Sequence, residues 1–187
     1  MQGRRIMIVD DEENVLQALK RALIDEDYTI VTARNGKEAL DKLGLSPVDI
    51  VMSDHTMPSM SGLEFLQQAK QRYPDTIRIL ITGKSDTQIT IEAINRGEIF
   101  RFLLKPWNDE ELKMTLRTAF EYHDLLSENK RLAATVKKQS SLLEKLERQN
   151  PGITKVDKEA DGCIVFENED FDATIQAFQV NEENYSK

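Results

Sequence analysis

With 187 residues, 40% of them apolar and 31% charged, the chain can hold one ordinary domain plus something smaller. No run approaches the roughly 20 apolar residues of a membrane helix, and only four apolar residues separate Arg5 from Asp10, too few for a secretory signal, so a cytoplasmic location with no membrane partner is expected. Cys163 is alone, which excludes an intrachain disulfide, and the net charge of −8 argues against a surface that tracks nucleic acid throughout.

From Arg4 to about Phe102, short apolar runs alternate with helix-like segments, the pattern of β-α-β units around a parallel sheet. Strands are expected at 5–9, 28–33, 48–53, 77–82 and 100–104, with helices near 13–25, 35–44, 62–72 and 86–96. The predicted fold class is therefore α/β, a doubly wound five-stranded parallel sheet of flavodoxin-like form. In such a sheet, ligands bind beyond the carboxyl ends of the strands, where the strand order reverses. The residues at those ends are Asp10-Asp11-Glu12, Ser53-Asp54, Thr82-Gly83 and Lys105-Pro106.

Asn108-Asp109-Glu110-Glu111 reads as an N-cap with an acidic first turn and a capping-box Glu. No Gly or Pro follows until Pro151-Gly152, so one helix can run over about 109–149, roughly 60 Å at about 1.5 Å per residue. Its distal part has a heptad reading, with Tyr122, Asn129, Val136 and Leu143 at a, and Leu125, Leu132, Gln139 and Leu146 at d. Six of these eight positions are apolar if Tyr122 is counted, and together with the single Asn at an a position they predict a parallel homodimeric coiled coil over 123–150. The alternative is an amphipathic helix folded back on residues 1–122. Residues 151–187 carry nine acidic side chains against Lys155, Lys158 and Lys187, and Glu159-Ala160-Asp161-Gly162 is a turn signal. A small hairpin or a flexible acidic tail both fit, with the hairpin favoured.

Phosphoryl transfer to a carboxylate needs a nucleophile, a divalent cation and fixed donors for the transferred charge. Asp10, Asp11 and Asp54 suit a hard cation such as Mg²⁺, which prefers oxygen ligands and keeps several waters. Lys105 can pair first with the carboxylate and then with the phosphate, and the Thr82 hydroxyl can donate to a phosphate oxygen.

Together, Asp10-Asp11, the run Asp54-His55-Thr56-Met57-Pro58-Ser59-Met60-Ser61-Gly62, Thr82-Gly83 and Lys105-Pro106 resemble the response-regulator receiver family of two-component signalling. The likeness covers about residues 4–122. It implies that Asp54 accepts phosphate from the phosphohistidine of a sensor histidine kinase or a phosphotransfer protein. It implies that Asp11, Asp54 and the Thr56 carbonyl ligate Mg²⁺ directly, with Asp10 acting through water. Thr82 and Phe102 correspond to the family's switch pair, while Thr56 and Lys84 flank the route of an attacking water and tune phosphate lifetime. His55 and His123 are not expected to act as a ligand or a phosphodonor.

The stretch Leu103 to Leu112 resembles receivers that precede HD-type phosphodiesterases and hydrogenase-type transcriptional regulators. Only 37 residues follow Asn150, fewer than the DNA-binding or enzymatic output domains of the family need. The expected output is dimerisation or association with a protein partner, with no nucleic acid bound. The alternative is a phosphotransfer intermediate or phosphate sink. No output enzyme is visible, so any catalysis is the domain's own phosphorylation and dephosphorylation.

Overall fold

The computed structural model describes residues 3–83, 93–95 and 97–151. Five parallel strands, β1 (Arg4–Val9), β2 (Tyr28–Ala33), β3 (Ile50–Asp54), β4 (Ile77–Thr82) and β5 (Arg101–Leu104), form one sheet in the order β2-β1-β3-β4-β5. Helices α1 (Glu13–Ala22), α2 (Gly36–Leu45), α3 (Gly62–Arg72) and α4 (Asp109–Gln149) accompany them. This is the doubly wound α/β fold that the sequence predicts, and the order reverses between β1 and β3.

Alternation along the strands divides the core in two. Ile6, Ile8, Ile50, Met52, Ile79 and Ile81 face α1 and the first turns of α4, where Leu112, Leu116, Ala119 and Phe120 are buried. Met7, Val9, Val51 and Leu80 face α2 and α3, through Leu40, Leu43, Phe65 and Leu66. Fully burying such a side chain contributes about 1.5–3 kcal/mol, so these two layers hold the strand ends in register.

Two boundaries among the described residues differ from expectation by more than one residue. Helix α1 stops at Ala22 rather than 25, because Leu23 turns into the core at 1% exposure and the Ile24 N–H closes on Arg21 as a tight turn. Strand β3 begins at Ile50 rather than 48, because Asp49 exchanges hydrogen bonds with Arg5: its N–H donates to the Arg5 carbonyl and its Oδ2 accepts from the Arg5 N–H. Of the helix expected at 86–96, residues 93–95 are helical, with Ala93 buried and the remainder outside the described residues. The 151–187 hairpin also lies outside them, apart from Pro151.

The chain divides into two compact units, Met1–Arg131 and Leu132–Lys187. In the first, α4 is held by apolar packing up to Phe120, by stacking of Phe120 on Tyr28 and Tyr122 on Phe100, and then by ion pairs. In the second, the described helix is solvated, and Leu132, Val136, Leu143 and Leu146 are exposed. No helix among the described residues is long and apolar enough to cross a membrane.

Candidate functional site

Asp10 follows β1, Asp54 ends β3 and Lys105 follows β5, so the switch in strand order brings three distant residues to one rim. The Lys105 ammonium lies 2.9 Å from Asp10 Oδ2 and 2.5 Å from Asp54 Oδ1. Each carboxylate accepts a backbone N–H on its other oxygen, Glu12 on Asp10 Oδ1 at 2.9 Å and Thr56 on Asp54 Oδ2 at 2.8 Å. Both carboxyl side chains are almost fully buried, whereas that of Lys105 remains 26% exposed.

Burial raises the Asp10 carboxyl above its usual range, and the hydrogen bonds from Lys105 and the Glu12 amide only partly oppose it. Burial alone would lower the Lys105 ammonium, but its bonds to Asp54 and Asp10 outweigh that and raise it. Two carboxylates against one ammonium leave a buried cluster with unused acceptor capacity. That donor set fits a hard, partly hydrated cation. Asp11 is exposed beside the cluster, and among the described residues no three acidic, histidine or cysteine side chains form a ready-made cage.

Helix α3 closes the rim from one side. Ser61 caps it in a reciprocal capping box with Glu64, and the Gly62 N–H donates to the His55 carbonyl at 2.9 Å. A Cβ on Gly62 would lie 1.8 Å from the Asp54 carbonyl oxygen, so only glycine permits this approach. The Ser53 hydroxyl, buried on the same side, donates to that carbonyl at 3.0 Å.

Thr82 is buried at the end of β4, with its hydroxyl 3.4 Å from the Gly83 carbonyl. Phe102 is half-buried and packs against the layer that contains Met57 and Ile99. Thr56 is exposed beside Asp54, while Lys84 lies outside the described residues. Thr56, expected to act through its carbonyl, also donates its N–H to Asp54. Ser53, placed by the sequence at the end of β3 with no role, joins the site through its hydroxyl, whose only signal is its place after the apolar run Ile50-Val51-Met52. His55 is half-buried, with no hydrogen-bond partner on Nδ1, and His123 faces Asp49 and Asp124 at the far rim.

A cleft of about 620 Å³ opens at that far rim, lined by Arg5, Asp49, Arg72, Tyr73, Asp75 and His123. Its size does not locate the chemistry, because Asp49 and Asp75 there pair with partly exposed groups rather than sharing one buried cation.

Known proteins resemble this chain over the same residues. The hydrogenase transcriptional regulatory protein HoxA of Cupriavidus necator is 35% identical over 68% of this chain and 26% of its own length. The DNA-binding transcriptional regulator NtrC of Escherichia coli is 35% identical over 66% of this chain and 26% of its own. The chain thus spans about a quarter of these curated relatives. The signal receiver domain of an HD domain-containing protein from Pseudomonas fluorescens Pf-5 is 41% identical, covers 68% of this chain and 94% of its own, and superposes with a TM-score of 0.65. The family model for the response regulator receiver domain matches residues 6–117, more than half of the chain, which therefore belongs to that family and carries the receiver domain of two-component response regulators.

Proposed function

We propose that Asp54 accepts a phosphoryl group from the phosphohistidine of a sensor histidine kinase or phosphotransfer protein. The observation that carries this reading is the Lys105 ammonium held between the buried carboxylates of Asp10 and Asp54. An Asp54 carboxylate oxygen attacks phosphorus, the new O–P bond forms as the N–P bond breaks, and the electron pair leaves with the imidazole nitrogen. Lys105 and the Thr56 amide fix the orientation of the carboxylate before attack, and Lys105 then neutralises charge on the transferred group.

Mg²⁺ would be held by Asp11, Asp54 and the Thr56 carbonyl, with Asp10 acting through water, and supplies charge neutralisation for the phosphoryl oxygens. Thr82 donates its hydroxyl to the phosphoryl group, and Phe102 follows it inward by packing. Thr56 and Lys84 set how easily water reaches the phosphoaspartate. The decisive experiment incubates the protein with acetyl phosphate and Mg²⁺. The mass of one phosphoryl group should be gained at Asp54, and none in Asp54→Asn.

The output we infer is a change in self-association, through a parallel coiled coil on the a and d positions of α4. Exposed Leu132, Val136, Leu143 and Leu146 support it, since apolar side chains at heptad spacing are stabilised by a partner helix. Mass in solution should change on adding beryllofluoride, a phosphoryl mimic. An unchanged monomer mass favours the phosphate sink instead. The roles carried in the names HoxA and NtrC favour a second reading of the output, control of transcription. Phosphorylation-dependent retention of this chain on DNA would support that reading, and its absence would leave association as the output.

A further inference from the structure

On the face of the sheet that meets α2 and α3, Ser53 of β3 lies between the apolar Val9 of β1 and Leu80 of β4, two residues along from Val51, which lies beside Met7. Ser53 is fully buried and stands one residue before the phosphoacceptor. A hydroxyl in such a layer costs free energy unless it is hydrogen-bonded, and this one donates to the Asp54 carbonyl at 3.0 Å. That carbonyl is covered by Gly62, where even a methyl group would lie 1.8 Å from the oxygen and 2.9 Å from Ser53 Oγ. The close approach of α3 leaves no room for a side chain over the carbonyl, and Ser53 supplies it with a hydrogen-bond donor from within the layer.

The direction of the Asp54 carbonyl defines the last backbone torsion of that residue, on which the path of His55 and Thr56 depends. The Thr56 amide is the donor that holds Asp54 Oδ2, at 2.8 Å. We propose that Ser53 is a positioning residue: by holding the Asp54 carbonyl under Gly62, its hydroxyl fixes the Thr56 amide against the Asp54 carboxylate and so presents that carboxylate for phosphoryl transfer. The inference rests on the assignment of Asp54 as phosphoacceptor. Ser53 touches neither phosphate nor metal in this scheme, and it acts through the backbone.

A hydroxyl that merely satisfies itself would affect stability alone. Ser53→Ala and Ser53→Thr are therefore compared with the parent protein at a temperature where all three are folded, with acetyl phosphate and Mg²⁺ as the probe. Ser53→Ala should lower the maximal rate of phosphorylation about tenfold, with the half-saturating donor concentration unchanged. Ser53→Thr, which keeps the hydroxyl, should restore the rate to within about twofold of the parent. Without phosphate, hydrogen exchange of the Thr56 amide should be about tenfold faster in Ser53→Ala and parent-like in Ser53→Thr. A parental rate in Ser53→Ala, or an equal loss in both variants, overturns the inference. If the parent protein takes no phosphate on Asp54, the phosphoacceptor reading fails, and Thr56 exchange alone decides the role of Ser53: unchanged exchange in Ser53→Ala overturns it.

Discussion

The two rims of this sheet are built from the same kinds of side chain and differ in burial. At the carboxyl rim, Asp10 and Asp54 share Lys105 with carboxyl side chains only 1% and 8% exposed. At the amino rim, Arg4 pairs with Asp124, Arg117 with Glu26 and Lys130 with Asp75, and the last pair is 60% and 64% exposed. Exposed pairs contribute little because water screens them, whereas buried charges are strongly coupled and each removal leaves another uncompensated. The first rim therefore holds the strongly coupled groups on which the proposed phosphoryl transfer depends, whereas the pairs at the second fasten a helix.

The largest expected contrast is in phosphate acceptance. Asp54→Asn should lower labelling by acetyl phosphate more than about 100-fold, because the proposed nucleophile is gone. Asp49→Asn, at the amino rim, should stay within about twofold. Comparable losses in both would remove the functional distinction between the rims.

The next contrast is steric. In Gly62→Ala the new methyl group would meet the Asp54 backbone at 1.8 Å, so strand or helix must shift, at about 3 kcal/mol. In Gly44→Ala, inside α2, the nearest atom is the Tyr73 hydroxyl at 3.3 Å, the mobile end of a side chain. There the helix propensity of Ala contributes up to about 1 kcal/mol in favour. Urea unfolding of the two variants should give midpoints that move in opposite directions.

Lys105→Met leaves two buried carboxylates facing each other. Since the lysine side chain is partly exposed, about 2 kcal/mol of stability should be lost, less than for a fully buried pair. A divalent cation can stand in for the lost ammonium, so Mg²⁺ should raise the melting temperature of the variant more than that of the parent. Equal Mg²⁺ responses would show that the metal does not act on the Asp10 and Asp54 carboxylates that Lys105 bridges.

Much of the carboxyl rim was legible in the sequence, because each residue there ends a strand whose apolar run is unmistakable. Ile77–Thr82 delivers Thr82, and Arg101–Leu104 delivers Lys105 just beyond it. The limits of β3 were less legible, since Val48 starts the apolar run early, yet Asp49 between it and Ile50 is bonded to Arg5 through its side chain. Hidden altogether was the sharing of one ammonium by two carboxylates, a contact across 95 residues that no local spacing encodes. Ser53 was invisible for the opposite reason: its bond is to the next residue, and only the tertiary approach of Gly62 gives it meaning. The ion pairs of the amino rim are ordinary surface residues at irregular spacing, so pattern could not find them.

The smallest predicted effect tests that rim directly. Lys130 and Asp75 form a close ion pair between α4 and the turn before β4, with both side chains mostly solvated. Ordering the long Lys130 side chain and desolvating two exposed charges offset most of their attraction, so the double-mutant cycle of Lys130→Gln and Asp75→Asn should give a coupling below about 0.5 kcal/mol. Because the Debye length shrinks from about 10 Å at 0.1 M salt to about 3 Å at 1 M, the coupling should fall toward zero at 1 M. A coupling of 2 kcal/mol or more on the cycle, insensitive to salt, would mean that burial is not what separates the rims, and that α4 is fastened at Lys130 as firmly as Asp54 is held by Lys105.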